Sequence, residues 1–183
     1  MSSSQQKRQL DRDRYGLTFF FVLFVCLVLD QWTKYLVISQ MQVGQTIQLP
    51  VNFVQLTFVR NFGGAFGVLE DVQLVFFAAA LLAVGCVYWK FPVICAQLGK
   101  PGCVVSAMIL SGALGNLCDR LRLGYVIDMI DLKWWPVFNV ADIGISVGIT
   151  MMVFWISKSS FAGEGGDAPA SEDTDGTNDE DNE

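Results

Sequence analysis

The chain of 183 residues carries 12 Lys or Arg, 18 Asp or Glu and no His, and 52% of it is hydrophobic against 16% charged, a charge content low for a soluble domain of this size. Nine of the acids fall between Glu164 and Glu183, where there is no basic residue, so the acidic balance belongs to the tail and the remainder is a mildly basic, apolar body. Without His, Ser-His and Cys-His nucleophile pairs and an HExxH metal site are excluded, and the chain has neither a GxxxxGK[ST] phosphate loop nor a basic stripe for nucleic acid. No metal or other cofactor is expected.

The chain opens on a basic leader over residues 1–16, with Lys7, Arg8, Arg12 and Arg14. A first apolar stretch follows from about Leu17 to Ile38. A removed signal peptide is not expected, because no A-x-A-like site follows the uncharged run Leu17–Leu29 and bulky Val25 precedes Cys26. Asp30 and Lys34 interrupt the stretch at a spacing of four, which puts them on one helix face as a buried ion pair or at a helix end already at the interface.

Residues from Gln45 to Val59 mix β-branched and aromatic side chains with Gln and Thr, the signature of short strands, and a β-rich segment is expected over about 40–60. The run Asn61-Phe62-Gly63-Gly64-Ala65-Phe66-Gly67 then breaks the pattern with three glycines, a signal of tight backbone or close approach. Three further apolar stretches follow, at about Gln73–Phe91, Pro101–Cys118 and Val140–Ile156. Each approaches membrane-spanning length, and in hydrocarbon each must be helical to satisfy its own backbone.

The fold class expected is therefore a membrane all-α protein with a small β element. It would have four transmembrane helices and a short extracytoplasmic sheet between helices 1 and 2. One four-span domain would cover residues 17–158, followed over 159–183 by a disordered acidic tail. Lys and Arg flanking the stretches favour both termini in the cytoplasm. The five cysteines are scattered without a CxxC pair and are read as small hydrophobes rather than a disulfide scaffold.

A charge at the centre of a bilayer costs about 2.5–3.5 kcal/mol on insertion scales, so each polar residue inside an apolar run needs an account. In GALGNLCDRL, Asn116, Asp119 and Arg120 share a helical face. Asp119 could neutralise Arg120 at a solvated helix end. Equally, Asn116 and Arg120 could orient a substrate carbonyl or a catalytic carboxylate. Asp128, in GYVIDMIDL, is flanked by Val126, Ile127, Met129 and Ile130, surroundings that raise a carboxyl pKa by desolvation. Asp131 in the same segment is more simply an interfacial partner of Lys133. In FNVADIG, Asn139 reads as a helix N-cap with Asp142 three residues on, as in a capping box. That position also sets the Asp142 carboxylate against the positive end of a helix, which stabilises negative charge. Two carboxyls in opposed environments are what an aspartyl dyad requires, one taking a proton from water and the other polarising a carbonyl. A small proton-coupled transporter would use the same intramembrane acids as a relay, and a membrane chaperone without catalysis is a second alternative.

Five blocks in order, DQWTK, NFGGAFG, GNLCDR, GYVIDMIDL and FNVADIG, resemble those of the bacterial lipoprotein signal peptidases, the type II signal peptidases. The resemblance runs from about Leu17 to Ile156, with Gly64 where Ala is frequent in the family. It implies a multi-pass aspartyl endopeptidase of the inner membrane that removes signal peptides from prolipoproteins just before a diacylglyceryl-modified cysteine. On that resemblance Asp128 and Asp142 are the catalytic pair, and Asn116 and Arg120 hold substrate or dyad. Asn139 would orient the dyad, with Asp30, Lys34 and Asn61 lining the site. The implied partners are a diacylglyceryl-bearing prolipoprotein, membrane lipids and inhibitors of the globomycin type, with no nucleic acid.

Overall fold

A computed structural model describes residues 3–63 and 73–164. The part of the NFGGAFG block after Gly63, Gly64 included, and the tail after Glu164 lie outside the described residues. The elements run α1 (Ser3–Gln40), β1 (Thr46–Gln48), β2 (Gln55–Asn61), α2 (Gln73–Leu123), β3 (Val126–Asp131) and α3 (Val140–Glu164). α2 packs against both α1 and α3, and the sheet caps one end of the helices.

The helices are built on the long apolar runs, and α2 carries Pro92 and Pro101 as well as several glycines within its bounds. α2 contains a non-helical residue at Gly99 (φ 59°, ψ −140°), which divides it into two helical segments. A positive φ is open to glycine at no steric cost. The connection expected between the second and third apolar stretches is therefore almost entirely helical, with the break confined to this glycine. α3 also outruns the apolar stretch expected to end at Ile156 and continues through Glu164. Among the described residues two helical stretches are long and apolar enough to cross a membrane, Tyr15–Gln40 and Leu98–Leu123, and Val140–Trp155 is a shorter apolar helix.

The sheet is antiparallel in the order β1-β2-β3. β2 pairs with β3 from Gln55 opposite Asp131 to Asn61 opposite Val126, with an irregularity between Leu56 and Val59. Two strands come from the segment after α1, as expected. The third does not: it comes from GYVIDMIDL, between α2 and α3, so the sheet is not confined to the connection between the first two helices. Residues Val126 to Met129 are buried on both faces of β3. Because both faces are buried, VIDMID does not alternate between apolar and polar side chains, and no strand period marks it in the sequence.

The burial pattern is inverted relative to a water-soluble bundle. Large apolar side chains face outward along α1 and beyond, Leu17 at 75% and Trp89 at 81% exposure, while Asp30, Lys34, Asn116, Asp119, Asp128 and Asn139 are buried. An apolar exterior around a polar interior is the arrangement hydrocarbon solvent favours. The sheet has its own apolar core of Val37, Met41, Phe58, Ile127 and Met129, which joins the end of α1 to β2 and β3. Cys26, Cys86 and Cys118 are free thiols. Cys103 is disulfide-bonded, contrary to the reading of every cysteine as a simple hydrophobe.

Candidate active site

Two turns bring the acidic residues together. α2 ends at Leu123, and Gly124 (φ 79°) turns the chain into β3 while its N–H donates to the Arg120 carbonyl at 3.0 Å. A left-handed glycine just past a helix end is a common stop. The chain leaves β3, passes Trp134 and Trp135 and enters α3 through Asn139. There the Asp142 N–H donates to Asn139 Oδ1 at 3.0 Å, and the Asn139 N–H donates to Asp142 Oδ2 at 3.2 Å. This reciprocal pair is the capping box read from the sequence.

The Asn139 side chain has a second task. Its Nδ2 donates to Asp128 Oδ1 at 2.7 Å and also lies near Asn116 Oδ1 (3.1 Å) and the Ile127 carbonyl (3.3 Å). One residue thus touches both acids, Asp128 through its side chain and Asp142 through its backbone. The remaining oxygens have donors as well. Asn61 Nδ2 reaches Asp128 Oδ2 at 2.9 Å, and Asn116 Nδ2 reaches Asp142 Oδ1 at 2.8 Å. Asn61 is itself fixed by the Gly63 N–H, which donates to its Oδ1 at 3.0 Å.

Asp128 and Asp131 show what placement on one strand can do. Burial pushes the Asp128 carboxyl up to about 6, with the neighbouring Asp142 charge adding to the rise and the Asn61 and Asn139 hydrogen bonds opposing it. Three residues on, a hydrogen bond from Gln55 holds the Asp131 carboxyl below its ordinary range, helped by the Lys133 N–H and Thr57. The Lys133 ammonium itself donates to the Asn52 carbonyl, and Lys133 meets Asp131 through its backbone N–H at 2.7 Å rather than as the expected side-chain pair.

Behind the acids runs a charged seam. Lys34 Nζ, buried at 1% exposure, lies 2.9 Å from Asp30 Oδ2, 2.8 Å from Asp119 Oδ2 and 2.9 Å from Asn116 Oδ1. By occupying the oxygen of the Asn116 amide, Lys34 leaves its nitrogen directed at Asp142. Asp30 accepts the Ala141 N–H through Oδ1 at 2.9 Å, which ties α1 to the first turn of α3. Asp119 accepts from Gln31 Nε2 at 3.1 Å and from the Ile127 N–H at 3.2 Å, which ties both helices to the strand position beside Asp128. The close approach needs glycine. A Cβ at Gly112 would run into the Ala141 carbonyl, and one at Gly115 into the Asp30 carboxylate.

The structure therefore gathers the residues expected from sequence. Asn61, Asn116 and Asn139 touch the two acids directly, while Asp30 and Lys34 reach them through Ala141 and Asn116. Arg120 Nη1 donates to the Asn116 carbonyl at 3.4 Å, and its guanidinium feels the charges of Asp142, Asp128 and Asp119. Asp119 is paired with Lys34, so it is not simply the partner of adjacent Arg120. Gln31, which also donates to Asp30 Oδ2 (3.1 Å) and the Gly115 carbonyl (3.2 Å), had no signal beyond its place in DQWTK. Among the described residues no group of three or more His, Cys, Asp or Glu converges as a metal site would.

Comparisons with known proteins agree on one family. The sequence model described as Signal peptidase (SPase) II matches residues 22–158. The lipoprotein signal peptidase of Alteromonas mediterranea is 39% identical over 153 residues, covering 79% of this chain and 82% of that protein. That of Moorella thermoacetica is 35% identical over 154 residues, covering 84% of this chain and all of its own length. A solved bacterial membrane enzyme superposes with a TM-score of 0.74 at 26% identity, over 83% of this chain and 94% of that one.

Proposed function

The chain belongs to the signal peptidase II family, and on that footing we propose that Asp128 and Asp142 are the catalytic dyad of a lipoprotein signal peptidase. The protein is a membrane enzyme of the aspartic peptidase type that acts on prolipoproteins. The relay of a transporter and the chaperone without catalysis fall away with that membership.

The observation that carries the dyad is the double contact of Asn139, which donates to Asp128 Oδ1 at 2.7 Å through its side chain and to Asp142 Oδ2 at 3.2 Å through its backbone. Asp142, at the positive end of α3, takes a proton from water. The Asp128 carboxyl, with its pKa near 6, donates a hydrogen bond to the scissile carbonyl. Water oxygen bonds to the carbonyl carbon, giving a tetrahedral adduct. The C–N bond then breaks, with the departing amine taking a proton from the dyad. Asn61, Asn116 and Asn139 hold the carboxyls in register, Lys34 and Asp30 fix Asn116 and the start of α3, and Arg120 supplies positive potential as charge develops.

The bond cut is the one just before a diacylglyceryl-modified cysteine. The domain over 17–158 crosses the inner membrane four times, with both termini and the acidic tail in the cytoplasm, so the dyad and the sheet lie at the outer face. Support comes from the Lys and Arg bias, the apolar exterior and the helical break at Gly99, which allows α2 to reverse direction. The lipid-bearing substrate approaches laterally from the bilayer, and a cyclic inhibitor of the globomycin type competes for the same dyad.

The test is cleavage of a diacylglyceryl-modified prolipoprotein by the protein and by Asp128→Asn and Asp142→Asn. Both variants should accumulate in the membrane and leave the precursor uncut. Normal processing by either removes the dyad.

A further inference from the structure

A groove of about 400 Å³ opens beside the dyad, with Asp142 in its wall. One side is the connection between β3 and α3, through Trp134, Trp135 and Phe138, and the other is the outer surface of α3, through Ile143 and Val147. Ile143 and Val147 are one helical turn apart on one face and are exposed, as are both tryptophans. At 1.5 Å per residue, Val147 lies about 7.5 Å along the helix axis from Asp142, so the groove runs from the carboxylate down α3 toward the bilayer interior. Apart from Asp142, Ser146 and the indole N–H groups of the two tryptophans, its lining is apolar.

We propose that this groove seats one acyl chain of the diacylglyceryl group on the substrate cysteine. The proposal rests on the peptidase reading and goes beyond it by assigning the lipid a place on the protein. Three occupants compete. A signal-peptide helix about 10 Å across would fill this volume with about 5 Å of its length, a single turn, so it does not fit as a helix. An extended peptide would leave its backbone N–H and C=O groups facing an apolar wall, at the desolvation cost of unpaired polar groups. A hydrocarbon chain has no such groups. The covalent chemistry also limits where it can emerge: the modified cysteine directly follows the scissile bond, so its acyl chains are joined to the carbon that the dyad attacks only through the cysteine and glyceryl groups. A groove that starts at Asp142 and is open to lipid is where one of them can go.

The experiment uses the full-length protein in lipid and a prolipoprotein carrying either two palmitoyl or two octanoyl chains, with kcat/KM measured for each. Val147→Trp fills the groove. Val153→Trp places the same bulk farther along α3, on an exposed position outside the groove. The palmitoyl-over-octanoyl preference should fall about tenfold in Val147→Trp, the loss of about two buried methylenes. It should stay at the unmodified protein's value in Val153→Trp. Ile143→Phe, a milder filling, should move it the same way and guards against misfolding of the larger variant. If all variants keep the original preference, ordinary bilayer lipid covers the groove and the proposal is overturned. A loss that is equal for both chain lengths assigns the groove to the peptide and also overturns it. Failure of the unmodified protein to cut either substrate would instead strike the peptidase reading.

Discussion

Two clusters of carboxylates lie side by side in this molecule and are held by different chemistry. In the seam, Asp30 and Asp119 meet the Lys34 ammonium at 2.9 and 2.8 Å. In the dyad, the oxygens of Asp128 and Asp142 accept from the amides of Asn61, Asn116 and Asn139. A lysine that close meets a carboxylate with a full opposite charge, so removing either partner strands the other. An asparagine fixes position while leaving the acid free to gain or lose a proton. The seam is held by opposite full charges and the dyad by neutral amides.

The comparison breaks most sharply at its charged members. Asp142→Asn should lower the cleavage rate by at least about 10³-fold, within the range supplied by a positioned acid or base, while membrane levels of the protein hold; precursor cleavage and immunoblotting read the two. Lys34→Met should do the reverse in kind. It strands two buried carboxylates at a cost of about 3–5 kcal/mol, so membrane accumulation should fall before turnover per molecule can be measured. An Asp142→Asn protein that disappears, or a Lys34→Met protein that accumulates normally, would erase the distinction.

Smaller changes sharpen it. Asn139→Ala removes a hydrogen bond to a charged group, worth about 1.5–3 kcal/mol, together with the N-cap of α3. Turnover should drop about 10- to 100-fold, with a loss of thermal stability of about 1 kcal/mol. Gly112→Ala would press a methyl group on the Ala141 carbonyl, an overpacking cost of about 1–3 kcal/mol. It should displace the start of α3 and lower kcat more than it raises KM. The least effect expected is a shift in pH dependence. The Asn61 hydrogen bond lowers the Asp128 pKa, so Asn61→Ala raises it from about 6. If Asp128 acts in its protonated form, the alkaline limb of kcat/KM moves to higher pH; an acidic limb that moves to higher pH instead would make Asp128 the base.

Much of this was legible in the chain because hydrocarbon makes polar residues conspicuous. Asp30, Lys34, Asn116, Asp128 and Asp142 each interrupt an apolar run, and the capping box at Asn139 was visible in its spacing. What stayed hidden was long-range. β3 carries buried side chains on both faces, so its run has no period to mark it as a strand. Asp119 looked like the partner of Arg120 only because they are adjacent in sequence; residues one apart on a helix do not face each other, and that rule alone argued for another partner. Gln31 acts across to Gly115 and Asp119 on α2, a contact no local pattern encodes.

The seam also bears on how such a protein is assembled. Lys34 and Asp30 stand four residues apart on α1 and pair with each other within that helix. When α1 leaves the ribosome and meets the bilayer, it can therefore enter as a neutral unit, before any partner helix has been made. Asp119 follows on α2 and adds a second carboxylate to the same ammonium. The pairing within α1 precedes the arrival of α2, so no stage of insertion requires a lone ammonium to wait in hydrocarbon.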